Sequence, residues 1–227
     1  MWPELELSVP NSAVFDLHHH QYDTWFDRHP DDYLSELLAV RALLPWSGPA
    51  LSIGVGTGRF AAPLGIGIGL DPAREMLRYA RARGISVVRG IAEALPFADA
   101  SFTRILSVTT LCFVDDAAAM LAEAFRALAP GGALVLADID RASPLGQTYL
   151  AKQPDNVFYR EARFYSGGEL HKLLLDNGFV ELQWAQTLTQ PASGVRVIEP
   201  LQPGHGLGGF MVVRACRPRA ASTGGDG

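Results

Sequence analysis

Apolar residues along the chain fall into short unbroken runs, separated by stretches in which they recur every three or four positions. Five runs, ALSIGV (50–55), IGIGL (66–70), ISVVRG (85–90), TRILSV (103–108) and ALVLAD (133–138), are too short and continuous for amphipathic helices. They predict strands buried on both faces, as in a parallel sheet. Two later runs, VELQWAQTL (180–188) and GFMVVRAC (209–216), show more alternation and predict an antiparallel pair at one edge.

Between the strands the period lengthens and helix signals appear. Asp71-Pro72 supplies an N-cap and a first-turn proline; Met76, Leu77 and Ala80 then share one face, and Gly84 ends the helix. Ser166 with Glu169 makes a capping box ahead of Leu170, Leu173 and Leu174, with Gly178 past the end. Asp115 or Asp116 caps a helix running to Leu128 and stopped by Pro130-Gly131-Gly132, and Leu34, Leu37, Leu38 and Leu44 mark a helical stripe before Pro45. Strand and helix alternate, which predicts an α/β fold with helices on both faces of the sheet. Two stretches stand apart: residues 11–33, rich in His, Tyr, Trp and Phe, and residues 139–166, rich in aromatics and arginine. Both are expected to form lids over the sheet edge. The organisation expected is cap helices over 1–45, a core over 46–217 with the lid inserted at about 139–166, and a flexible tail over 218–227.

Composition narrows the classes. A chain of 227 residues, 48% hydrophobic, suits a single domain with a full core. The net charge of −5 and the lack of a dense Lys/Arg run argue against a nucleic-acid binder that works by neutralising phosphates. Cys112 and Cys216 are the only cysteines, so no disulfide framework or CxxC metal knuckle is expected. The N-terminus lacks a secretory pattern and no apolar run reaches membrane-spanning length, so the expected location is cytoplasmic.

The chemistry gathers at ALSIGVGTGR (50–59). Gly54, Gly56 and Gly58 follow the first strand, where the backbone of an open parallel sheet turns close to its ligand. Arg59 occupies the position where a dinucleotide fingerprint needs its third small residue, and no phosphate-loop pattern occurs anywhere. Asp71, at the end of the second strand, can accept hydrogen bonds from ribose hydroxyls while also capping a helix. In GIAEALPFADASF (90–102), Ile91, Ala92, Leu95 and Phe97 offer an apolar slot for a flat ring.

IGVGTGRF, GLDPAREML, GIAEALPFADASF and EAFRALAPGGALVLAD, in this order and spacing, resemble the class I S-adenosylmethionine-dependent methyltransferases. The branch most resembled is the small-molecule, type 11 group that includes ubiquinone and menaquinone biosynthesis enzymes. HQYDTWF (20–26) is similar to that branch's N-terminal cap helix, and VTTLCFVDD (108–116) resembles a group of uncharacterised microbial members. The resemblance implies a Rossmann-like, seven-stranded, mostly parallel sheet with an antiparallel C-terminal edge hairpin. It implies S-adenosylmethionine as cofactor and S-adenosylhomocysteine as product. Carried over by residue, Gly54, Gly56 and Gly58 pass the methionine part, with Ser52 near its ammonium. Asp71 holds the ribose, Ile91 and Ala92 lie at the adenine, and Thr109 lies beside the sulfonium; Tyr22, Pro72, Met76 and Glu93 complete the cofactor-binding set. The family pattern carries an acid where Ser52 stands, often an Asp at Ile91, and commonly an Asp at Thr103. Asp23 of the lid is the candidate to replace the acid missing at Ser52.

Methyl transfer from a sulfonium is an in-line displacement, so the protein mainly positions the reactants and excludes water. A general base is needed only for an acceptor protonated at working pH, and no catalytic residue is assigned from sequence. The acceptor is expected to be a small molecule touched by His18, Trp25, Cys112, Tyr149, Tyr159 and Arg163, with O, N, S and C all open as the methylated atom. Consecutive His18, His19 and His20 diverge by about 100° each on a helix, so no metal site is expected. Monomer and homodimer are both open. Two other readings stand beside the enzyme: a catalytically weak S-adenosylmethionine-binding regulatory module, motivated by Ser52 and Ile91, and a nicotinamide oxidoreductase, which Arg59 disfavours.

Overall fold

A computed structural model describes residues 12–190 and 197–220. The expected tail from residue 221 onward, and residues 1–11 of the expected cap, lie outside the described residues. The chain opens with α1 (Ser12–Leu17), α2 (His19–Arg28) and α3 (Pro30–Leu43). There follow β1 (Ala50–Ile53), β2 (Ile68–Asp71), α4 (Arg74–Ala82), β3 (Ser86–Arg89), β4 (Phe102–Val108), α5 (Ala117–Ala127) and β5 (Leu128–Ile139). After α6 (Pro144–Lys152), within the segment expected to form a mid-chain lid, come α7 (Gly167–Asp176), β6 (Val180–Thr187), β7 (Gln202–Pro203) and β8 (Phe210–Cys216).

One sheet takes the order β3-β2-β1-β4-β5-β8-β6-β7. The first five strands pair in parallel, and β8 inserts antiparallel between β5 and β6. The chain steps outward from β1 to β3, then crosses back to β4. The carboxyl ends of β1 and β4 therefore flank a topological switch point, where such sheets bind ligands. Among the described residues the sheet has eight strands where seven were expected. The additional β7 has two residues, paired with Ala185 and Gln186, too few to show any periodicity.

Both faces of the sheet are buried, and the alternation of side chains assigns them. Val135 and Ala137 of β5 join a core with Val40 and Leu43 of α3 and Leu77 and Ala80 of α4. Leu134 and Leu136 join the opposite core with Leu121 and Ala124 of α5 and Leu170 and Leu174 of α7. Burying each such leucine stabilises the fold by about 1.5–3 kcal/mol. Asp116 caps α5 through Ala118 and Ala119, and the Ser166–Glu169 capping box opens α7.

Three local expectations change. The N-cap of α4 is Ala73, without a side-chain cap; Asp71 sits earlier, with Oδ1 accepting from Ala73 N at 2.9 Å. Pro130-Gly131-Gly132 does not end an element. It bulges inside β5, where Leu128 pairs with Phe102 and Ala133 already pairs with Arg104. Helix α3 buries Asp32, Ser35, Ala39, Val40 and Leu43; of the expected stripe, Leu44 is buried and Leu37 packs against the core, while Leu34 and Leu38 are exposed.

Candidate active site

The turn after β1 explains its three glycines separately. All have positive φ, +64° at Gly54, +53° at Gly56 and +84° at Gly58, a region costly for side chains. A Cβ on Gly54 would lie 2.1 Å from Thr110 Oγ1, so the turn closes onto the end of β4. A Cβ on Gly58 would lie 2.7 Å from Ile85 Cδ1 and 3.2 Å from Ala80 Cα, so this glycine packs the turn against α4. At Gly56 the nearest atoms belong to the Tyr22 ring, 3.8 Å away, which leaves a backbone face open toward the cap. Gly54 and Gly56 line a cleft at the switch point, while Gly58 does not.

Asp71 fixes the other side of this cleft. Its Oδ2 accepts from Gly56 N at 2.9 Å and its Oδ1 from Ala73 N, so one carboxylate holds both the glycine turn and the approach to α4. Burial pushes the carboxyl up to about 6, against the lowering effect of those two N–H groups. Pro72, Met76, Ile91, Ala92, Glu93 and Thr109 complete the lining expected from sequence. The loop carrying Ile91 to Glu93 is pinned from α5: Glu123 accepts from Leu95 N, and Arg126 donates to the carbonyls of Leu95 and Phe97. Glu93 is itself engaged, with Oε1 accepting from Asp115 N at 3.0 Å. Ser52 is buried in β1 between Gly69 and Leu106 and lines neither this cleft nor its neighbour.

Helices α1 and α2 form the roof. Arg59 forks twice onto α2, with two bonds to the carboxylate of Asp23 at 3.0 Å and two to that of Asp27 at 2.8 Å. Arg83 adds a third arm to Asp23 at 2.9 Å. Burial opposes the ionised form of Asp23, but hydrogen bonds from Arg59 and Arg83 prevail and hold its carboxyl below the usual range. The expectation that Asp23 reaches a cofactor ammonium therefore fails, because its oxygens are committed to two guanidiniums. The i, i+4 spacing of Asp23 and Asp27, set against Arg59, was the sequence signal for this docking. Asp16 of α1 accepts from Glu75 N at 2.8 Å and so caps α4 from outside it. Ser12 and Phe15 of α1 close the cleft to about 90 Å³.

A second cavity, of about 390 Å³, is walled by the N-terminal helices and by the 139–166 segment. Trp25, Tyr149 and Tyr159 line it as expected, together with Phe60, Phe158 and Phe210. Phe15, Tyr22, Thr109 and Phe113 line both cavities. Tyr22 is bonded to the side chain of Thr109, and burial pushes its hydroxyl far up. Thr109 holds φ +45° at the end of β4, a strained position for a threonine at the junction of the two spaces. Three expected acceptor contacts lie elsewhere. His18 packs its ring against Phe158, and Arg163 is exposed, its guanidinium 5.3 Å from the Tyr165 ring. Cys112 is buried and lines neither cavity, and burial with the neighbouring Asp138 charge pushes its thiol well up. Glu36, absent from the expected site residues, also lines the second cavity from α3. The signal was a polar residue amid YLSELLAV on the face that also carries Ser35 and Val40.

Comparison with known proteins agrees with this geometry. Residues 51–136 match the model of a methyltransferase domain. A crystal structure from Thermotoga maritima, described as an S-adenosylmethionine-dependent methyltransferase and possible histamine N-methyltransferase, superposes with a TM-score of 0.87. It is 46% identical, over 91% of this chain and 99% of that one. The chain belongs to the S-adenosylmethionine-dependent methyltransferases. Its sheet is the Rossmann-like sheet of that family, and its cofactor is S-adenosylmethionine. An uncharacterised protein of Methanocaldococcus jannaschii is 40% identical over 89% of this chain and 98% of its own length. One from Mycobacterium tuberculosis is 41% identical over 86% of this chain and 70% of its own. The residues at the switch point suit the cofactor: a backbone face open at Gly56, a buried carboxylate at Asp71 and an apolar slot at Ile91 and Ala92. No helix among the described residues is long and apolar enough to cross a membrane.

Proposed function

We propose that this methyltransferase passes the methyl group to a small-molecule acceptor by in-line displacement, with the cofactor in the switch-point cleft and the acceptor in the aromatic cavity. The observation that carries this reading is the shared wall: Phe15, Tyr22, Thr109 and Phe113 line both spaces, so ligands in the two meet there. Gly54 and Gly56 let the backbone approach the methionine part, Asp71 accepts from the ribose hydroxyls, and Ile91 and Ala92 flank the adenine. Thr109 and Tyr22 orient the reacting partners at the junction. The aromatic walls exclude water, and no protein nucleophile takes part, because the sulfonium supplies the activated methyl group. Titration calorimetry should find S-adenosylhomocysteine bound with micromolar affinity or better. No detectable binding of either S-adenosylhomocysteine or S-adenosylmethionine would end this reading.

A further inference from the structure

The aromatic cavity contains a carboxylate that the fold itself does not use. Glu36 lines it from α3, and among the described residues no hydrogen bond or ion pair satisfies its oxygens. The groups close enough to act on it electrostatically are Asp32, one turn back on α3, Tyr22 of α2, Tyr33 of α3 and Tyr159 of the lid. All are acidic or neutral. The charged residues that also border the cavity, Arg28 and Asp155, are exposed and of opposite sign. A carboxylate in such a wall is costly to keep ionised unless something brings a positive charge to it. Trp25, Phe60, Phe158, Tyr159 and Phe210 surround the same space with ring faces and edges, and ring faces attract cations.

We infer that the acceptor is an amine, cationic in water, whose nitrogen is seated against Glu36 inside the aromatic walls and is methylated there. The inference rests on the proposed placement of the acceptor in this cavity. Burial, then the charge of Asp32, push the Glu36 carboxyl up to about 8, which suits a group that takes a proton from a bound ammonium. That proton passes from nitrogen to a Glu36 oxygen. The freed lone pair forms the nitrogen–carbon bond to the methyl group as the carbon–sulfur bond breaks, and its electron pair stays on sulfur. The products are an N-methylammonium and the neutral thioether, and the Glu36 proton returns to water. A bound ammonium favours the ionised form of Glu36 and pairs with it, whereas a neutral alcohol or a carboxylate-bearing acceptor brings it no opposite charge.

The test is calorimetry on the full chain saturated with S-adenosylhomocysteine, using benzyltrimethylammonium, benzyl alcohol and phenylacetate as cationic, neutral and anionic probes of similar size. The cation should bind at least about tenfold more tightly than the other two. Glu36→Gln should remove that preference and leave S-adenosylhomocysteine affinity within about twofold. Equal binding of cation and alcohol, preference for phenylacetate, no cation binding, or a cation preference that survives in Glu36→Gln would each overturn the inference. The wild-type comparison decides even where the variant fails to fold. Failure of S-adenosylhomocysteine itself to bind would instead strike the cofactor reading. As a second readout, labelled methyl should appear on phenethylamine and not on 4-methylphenol; the reverse result refutes an amine acceptor.

Discussion

The two cavities share a wall but are built from different material. The proposed cofactor cleft is made by consecutive strand ends and their loops, and among its lining carboxylates Asp71 is bonded to backbone on both oxygens. The aromatic cavity is assembled from side chains of α1, α2, α3, the mid-chain lid and the last strand, and its carboxylate, Glu36, lacks such partners among the described residues. In the first, backbone geometry dictates which residues fit, so substitutions should be felt by the whole fold. In the second, side chains shape the space on a scaffold that stands without them, so substitutions should alter selectivity. This difference suits a protein in which the donor stays fixed while the acceptor pocket diverges.

The sharpest way to break the comparison is at Gly54. Gly54→Ala places a methyl group 2.1 Å from Thr110 Oγ1 at a φ of +64°, and the turn has to open. We expect a loss of about 3–4 kcal/mol in stability, a melting temperature about 10 °C lower, and no measurable S-adenosylhomocysteine binding. Gly56→Ala meets nothing closer than 3.8 Å and should cost only about 1–2 kcal/mol, from its backbone conformation. Equal melting temperatures for the two variants would mean that the turn is not held by Thr110.

Asp71 comes next in size. Both its oxygens accept from backbone N–H groups, so Asp71→Asn sets an amide donor against one of them. S-adenosylhomocysteine affinity should fall by about thirty- to a hundredfold in calorimetry, while binding of benzyl alcohol in the neighbouring cavity stays within about twofold. The wild type should show the same separation with pH. Its Asp71 carboxyl, near 6, lies above the ordinary value of about 3.9, so in the cofactor-free protein this group stabilises the fold most at low pH. That contribution is lost as pH rises through 6. Cofactor affinity runs the other way, because the ribose hydroxyls donate to the ionised form. It should be full above pH 6 and fall about tenfold per pH unit below it. A flat affinity between pH 5 and 7 would remove Asp71 from the ribose.

The contrast between the cavities is also a contrast in what the sequence made legible. Strands such as ALVLAD and the turn GVGTGR were readable because burial on both faces and positive φ each restrict residue choice at adjacent positions. The cleft followed from the order of those segments. Ser52 kept its place in the pattern but not in the lining, since a strand interior points its side chains into the sheet layers and not toward the ligand edge. The aromatic cavity was half-readable: aromatic density marked the lids, and Trp25, Tyr149 and Tyr159 line the space, but His18, Cys112 and Arg163 do not. Which side of a short helix or irregular loop faces inward depends on contacts far along the chain. Glu36 shows the limit most clearly. A glutamate within a leucine-rich helix reads as a solvated charge, and only the packing of α3 against β6 and β8 turns it toward a cavity.

The smallest effect is expected at the roof, where the two regions meet. Helix α1 buries none of its own residues, yet Asp16 supplies the cap that Ala73 cannot give α4. Loss of such a cap costs about 1 kcal/mol, which lowers the melting temperature by only about 2–4 °C in a chain of this size. The same energy acts directly on the lid. If α1 closes over the cofactor through this bond, Asp16→Ala should speed S-adenosylhomocysteine release about fivefold in stopped-flow fluorescence, while Asp16→Asn, which keeps an acceptor oxygen, restores most of the slow release. Amide exchange at Glu75 should rise with the alanine and return with the asparagine. A release rate unchanged by Asp16→Ala would mean that α1 is held by Phe15 alone, through its ring contacts with Phe113 at 5.0 Å and Phe158 at 5.7 Å. In that case the roof belongs to the aromatic cavity, and the acceptor rather than the glycine turn governs when the cleft is closed.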